Sequence, residues 1–215
     1  MLQVLTFALL DSVNLLLIAV VVGIGVALPS KYGRVAALLV GGDWLGVFVA
    51  SVLCLVFFDS IGSAVTSLVH SPVFGWILII TGLIALVMSI RGGDSSAMVE
   101  RIMAPLRAPS IGTVGMGFML GAVQSLTSAP FYGGLLVLSA SGLNVLVRYL
   151  TLFLYATLAL SLPTLCAICV GYIRSRPESW LGRSFVWARD NKEAVNKFAG
   201  FFVAFILIVV GVFHL

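Results

Sequence analysis

Asp11, Ser12 and Asn14 interrupt an otherwise apolar run over 3–28, and Asp43 stands alone in a second run over 35–58, within Gly41-Gly42-Asp43-Trp44-Leu45-Gly46. A third run, 113–140, carries Gln124, Ser125, Thr127, Ser128 and Tyr132 around Pro130. These types suit one kind of chemistry. Carboxylates can hold a proton or a cation, and amides and hydroxyls can hydrogen-bond the polar groups of a small molecule. An acid in the middle of an apolar helix costs roughly 2.5–3.5 kcal/mol on an insertion scale, so each needs a reason to be there. Neither acid-bearing run offers a Lys or Arg partner. Asp11 and Asn14, three residues apart, would share a helix face. Both acids lie about eight residues from the edge of their runs, about 12 Å along a helix and close to the middle of a bilayer. Pro130 has no amide hydrogen and crowds the preceding turn, so the helix around it is expected to kink or break and expose backbone groups that could hold a substrate or ion.

Plainer roles compete with these. Asn14, Gln124, Ser125 and Thr127 could be interhelical hydrogen-bond donors and acceptors, and Gly23, Gly25, Gly41, Gly42, Gly46, Gly133 and Gly134 could simply allow helices to approach closely. Cys166-Ala-Ile-Cys169 has the spacing of a redox or soft-metal pair, but no His or third thiol stands nearby except Cys54, and buried cysteines commonly serve as small hydrophobes. No phosphate-cradling glycine loop, spaced metal cluster or nucleophile with its base is visible, so no enzyme activity and no cofactor are expected.

The elements that must position these residues are membrane helices. With 61% apolar and 9% charged residues and a mean hydropathy of +1.19, the chain has too little polar surface for a soluble globule. Six runs are long enough to cross a bilayer: 3–28, 35–58, 73–90, 113–140, 146–173 and 198–215. Eleven of the twelve Lys and Arg residues fall in alternate gaps, at Lys31 and Arg34, between Arg91 and Arg107, and between Arg174 and Lys197. Positive loops stay cytoplasmic, which places both termini outside the cytoplasm and leaves Arg148 as the lone basic residue of the outer gaps. Met1 to Leu28 has no basic residue before its apolar stretch and is read as a retained helix rather than a cleaved signal. The net charge of +4 is accounted for by the inner loops, so the lipid bilayer and not nucleic acid is the expected partner.

The longest loop before the last, 92–112, divides the chain into 1–91 and 113–215, three spans each. An odd number of spans per half inverts the second half. A shift of 110 residues pairs Leu10, Val13, Leu16, Ala19, Gly23 and Leu28 with identical residues at Leu120, Val123, Leu126, Ala129, Gly133 and Leu138, and sets Asn14 against Gln124. Two inverted triplets are a common plan for a carrier that alternates between inward-open and outward-open shapes. The last inner segment, 174–197, mixes Trp180, Leu181, Phe185 and Trp187 with Arg183, Arg189, Lys192 and Lys197, and is expected to form an amphipathic helix on the inner leaflet or to dock a partner.

Asp11-Ser12-Val13-Asn14 in the first helix, Gly42-x-x-x-Gly46 in the second and the Gln124 to Pro130 stretch in the fourth resemble the lysine-exporter (LysE) superfamily. The first helix is similar to that of its glycolipid-addressing (GAP/Sap-like) branch, while Gly42-Asp43-Trp44-Leu45-Gly46 resembles the cadmium-resistance branch and the acid-amide pattern also resembles TerC-like proteins. The metal branches usually repeat an acid in helix four, where this chain has Gly121 and Gln124. The resemblance implies an all-α integral inner-membrane protein of six transmembrane helices in two inverted repeats. It also implies an exporter of a small polar or zwitterionic solute or of a glycolipid, working by alternating access with proton or cation coupling. Its site would comprise Asp11, Ser12, Asn14, Asp43, Gln124, Ser125, Thr127, Ser128 and Pro130, and it could act as a homo-oligomer or beside a larger membrane transport partner. A divalent metal exporter and a non-transporting accessory or scaffold subunit are the alternatives.

Overall fold

The computed structural model describes residues 2–27, 31–91, 109–175 and 178–180, with single or paired residues at 183, 186–187, 191, 194, 201, 205, 208–209 and 212. Most of the inter-repeat loop 92–112, much of the basic segment 174–197 and most of the sixth expected span 198–215 lie outside the described residues. All regular structure among the described residues is helical: α1 (Leu2–Asp11), α2 (Leu15–Ala27), α3 (Tyr32–Ser60), α4 (Gly62–Val69), α5 (Pro72–Arg91), α6 (Ile111–Leu126), α7 (Ala129–Ala140), α8 (Val145–Ala159) and α9 (Ser161–Ser175).

By length and composition, α3 alone can cross a membrane as a continuous helix; α1 with α2 and α8 with α9 qualify as well if each bent pair is one span. Two spans expected to be continuous, 3–28 and 146–173, are therefore interrupted. The first bends by 47° and the second by 41°. The causes are local. Asn14 turns its side chain back to accept the Leu17 amide at 2.7 Å, which starts a new helix. Pro163 sits in the first turn of α9, where a missing amide costs least, so the chain breaks just before it at Leu160. The expected break in the fourth run occurs at Thr127 and Ser128, and Pro130 occupies the first turn of α7. Between α7 and α8, Gly142 takes φ 65°, a left-handed conformation that glycine adopts without strain.

The tightest seam joins α3 to α6. A methyl group added at Gly42 would strike the Val114 carbonyl oxygen, one at Gly46 that of Phe118, one at Gly117 that of Leu39, and one at Gly121 that of Asp43. Each helix thus presents a small-residue strip to the other's backbone, the packing open to helices that lack large side chains at the contact. Residue numbers rise together along the two helices, so α3 and α6 run parallel. Gly133 and Gly134 likewise admit Phe7 of α1 and Tyr155 of α8 against α7, and Gly25 admits Val170. Gly41, expected to share this role, does not: a methyl group there would have nothing within 4 Å. Phe7, Phe131, Leu135, Leu152 and Tyr155 fill the core between the two halves.

The seam predicts opposite outcomes for neighbouring glycines. Gly121→Ala or Gly46→Ala forces the backbones apart and should cost about 1–3 kcal/mol. Gly41→Ala, with open space around it, should be neutral or slightly stabilising. Thermal unfolding in detergent followed by circular dichroism measures both.

Candidate functional site

The three interruptions meet. Asp11 ends α1, Asn14 caps α2, Gln124 and Ser125 lie in the last turn of α6, and Ala159 and Leu160 mark the break between α8 and α9. Together with Val47 and Gly121 they line one cavity of about 10 Å³, room for about one water-sized group. The uninterrupted α3 contributes Val47 from the middle of its length.

Asp11 is the hub. Its position at the C-terminal end of α1 faces a carboxylate with the partial negative charge of that helix end, so it needs donors. Ser128 Oγ–H donates to Oδ1 in a short hydrogen bond, and Tyr155 Oη–H donates to Oδ2 at 3.2 Å. Ser128 is at the same time the N-cap of α7, accepting the Phe131 amide at 3.3 Å. The oxygen receives the backbone amide on one lone pair, and its own proton goes to Asp11. Through Ser128 the carboxylate sits at the positive end of α7, a favourable place for an anion. One acid of the first half is thus bound by two hydroxyls of the second.

Asp43 has a different environment. It is 0% exposed, on the seam against Gly121, and neither of its oxygens has a hydrogen-bond partner among the described residues. Gln124 Oε1 is likewise buried without one.

The other expected site residues divide. Asn14 and Ser125 are buried and line the cavity, Asn14 with its oxygen committed to the α2 amide. Asp11 and Asn14 do not share a helix face, because the helix ends between them, yet the turn still brings both to the cavity. Ser12 returns its hydroxyl to the Leu9 carbonyl at 2.6 Å, and Thr127 returns its own to the Val123 and Gln124 carbonyls at 3.0 Å; neither lines the cavity. Pro130 is a helix-starting residue. Nor do Asn14 and Gln124 hold equivalent places: the residue that caps the second segment of its broken helix, as Asn14 does, is Ser128. Tyr155 was not among the expected residues. A tyrosine in an apolar run looks like packing until its hydroxyl is placed opposite a carboxylate.

Contacts between the halves also lie to either side of this level. About two turns, or 10 Å, from Tyr155 along α8, Arg148 Nη1–H donates to Asp59 Oδ1 at 2.6 Å, and Ser139 Oγ–H donates to the same oxygen at 2.9 Å. About as far beyond Leu160 along α9, the Ala167 carbonyl accepts Tyr32 Oη–H at 2.8 Å, with the Arg174 guanidinium 5.2 Å from the Tyr32 ring centre. Among the described residues no three His, Cys, Asp or Glu side chains gather to hold a metal ion. No family model matches the chain, and no curated protein or solved structure matches it either.

Removing the donors should expose what Asp11 depends on. Tyr155→Phe is expected to destabilise by about 1–2 kcal/mol through loss of one hydrogen bond to a charged group. Ser128→Ala, which also uncaps α7, should cost about 2–3 kcal/mol. Thermal unfolding of the two variants checks the order.

Proposed function

We propose that the chain is a six-span inner-membrane carrier of two inverted triplets, with both termini outside the cytoplasm, exporting a small polar or zwitterionic solute or a lipid headgroup by alternating access. The observation that carries this reading is the convergence of three helix breaks on one cavity lined by Asp11, with polar contacts between the halves to either side. Broken helices bring backbone groups and helix termini to the site in many carriers. A cavity of about 10 Å³ corresponds to an occluded shape, and access to it requires one of the end contacts to part.

The repeat reading draws support from reciprocal packing. The second helix of the first half, α3, packs on α6, the first segment of the second half's broken helix, while α8 packs on α1, the corresponding segment of the first half. Parallel α3 and α6 require the chain to cross back between them, and the apolar α5 stands between them in the chain. Basic residues in alternate gaps set the sidedness. No basic side chain lines the cavity, which favours neutral, zwitterionic or cationic solutes over strong anions. The resemblance to the LysE superfamily points the same way.

Cells lacking the chain should accumulate its substrate, which untargeted profiling identifies. The wild-type gene should clear it and Asp11→Asn should not; full clearance by Asp11→Asn would instead favour a scaffold role. Accessibility tests the closures. With Ser125→Cys as the only thiol, an impermeant thiol reagent added from outside should react slowly. Arg148→Ala should raise that rate about tenfold, the effect of removing roughly 1.4 kcal/mol of closure. The exchanged pair Asp59→Arg with Arg148→Asp should restore protection.

A further inference from the structure

The two acids are provided for unequally. Asp11 receives two hydroxyl protons and a helix N-terminus. Among the described residues Asp43 receives nothing on either oxygen, and it is 0% exposed. Its neighbours explain why. Gly117 and Gly121 of α6 lie against its backbone and have no side chains to donate, and the amides of a helix interior are spent on their own carbonyls. Among the described residues the charged group acting on Asp43 is the Asp11 carboxyl, itself bonded to Tyr155, and no cation does. Gln124 Oε1, one turn beyond Gly121, is a further acceptor without a donor. Buried acceptors without donors call for a proton or a small cation, since a charge left alone in such a place is far costlier than a neutral group. A divalent ion would want six or more oxygens, and those of Asp11 are already engaged.

We propose that Asp43 is the proton-carrying acid of the site, a neutral carboxyl in this closed arrangement, while Asp11 is the carboxylate that hydroxyls hold in place. This assignment names the coupling ion of the carrier reading and rests on that reading for its use. When the site opens to water, the Asp43 O–H bond breaks, the proton leaves to a water molecule as hydronium, and a carboxylate remains. That carboxylate must regain a proton, from the water on whichever side is then open, before the site can close again. Closure is thereby tied to protonation, which is the requirement for a proton to drive transport. Paired acids whose surroundings differ this much divide the roles of acid and anion between them.

Infrared spectroscopy of the purified full-length chain in lipid nanodiscs, in H₂O and D₂O at neutral pH, reads the two states directly. The wild type should show a carboxylic-acid C=O band that shifts in D₂O. Asp43→Asn should remove it, and Asp11→Asn should leave it while removing carboxylate intensity. Because Asn mimics a neutral acid, Asp43→Asn should also keep the thermal midpoint near that of the wild type, whereas Asp11→Asn should lower it. Loss of the acid band in Asp11→Asn but not in Asp43→Asn would overturn the assignment. So would its absence from the wild type together with stabilisation by sodium chloride over choline chloride that Asp43→Asn abolishes, which would make the ion sodium. If the band belongs to Asp43 but Asp11→Asn still clears the accumulated solute from cells, the carrier reading fails and the proton site stands.

Discussion

A backbone amide or carbonyl in an apolar environment must find a partner, and a helix meets that demand only while it continues. Every interruption therefore has to be placed where other polar groups can serve its ends. This chain has three among its described residues, and the fold brings them to one level. The break after Asp11, the break at Thr127 and Ser128, and the break at Leu160 face one cavity. Side chains complete what the backbone leaves open: Asn14 caps α2 and Ser128 caps α7. The polar site follows from that requirement: Asn14 caps α2 and lines the cavity, and Ser128 caps α7 and holds the Asp11 that lines it.

The uninterrupted α3 gives the arrangement its reference. Its parallel seam with α6 is set by glycines on both helices, each closed over by the other's backbone. That closeness has two consequences. It holds Gln124 and Ser125 against Val47 at the cavity, and it leaves Asp43 facing a surface without donors. Tight packing and an unpartnered acid are thus two results of one sequence choice, small residues on α6.

The α3–α6 seam joins the two halves by apolar packing, and their polar links are of another kind. Asp11 with Ser128 and Tyr155, Asp59 with Arg148 and Ser139, and Tyr32 with Ala167 are directional and few. Interfaces held by a handful of polar contacts over otherwise apolar faces can part and re-form without dismantling a core, whereas the interdigitated α3–α6 seam resists shear. In the carrier reading, movement falls at the ends and the seam stays with its partners.

The residues by themselves determined the helical class, the position of two acids deep in apolar runs, and the break near Pro130, since composition, run length and a missing amide act locally. They also marked Asp11, Asn14, Gln124 and Ser125 as candidates. Tertiary structure decided the rest. The bend at Val13 depends on a cap whose partner is a backbone amide, and one-dimensional patterning does not separate a capping Asn from an interior one. Ser12 and Thr127 satisfy themselves within their own helices, while Ser128 reaches across to Asp11, a distinction that hydroxyl type and spacing do not carry. Tyr155, Gly117 and Gly121 gained their roles only when α8 and α6 were set against α1 and α3, because a contact between residues more than a hundred positions apart has no local signature.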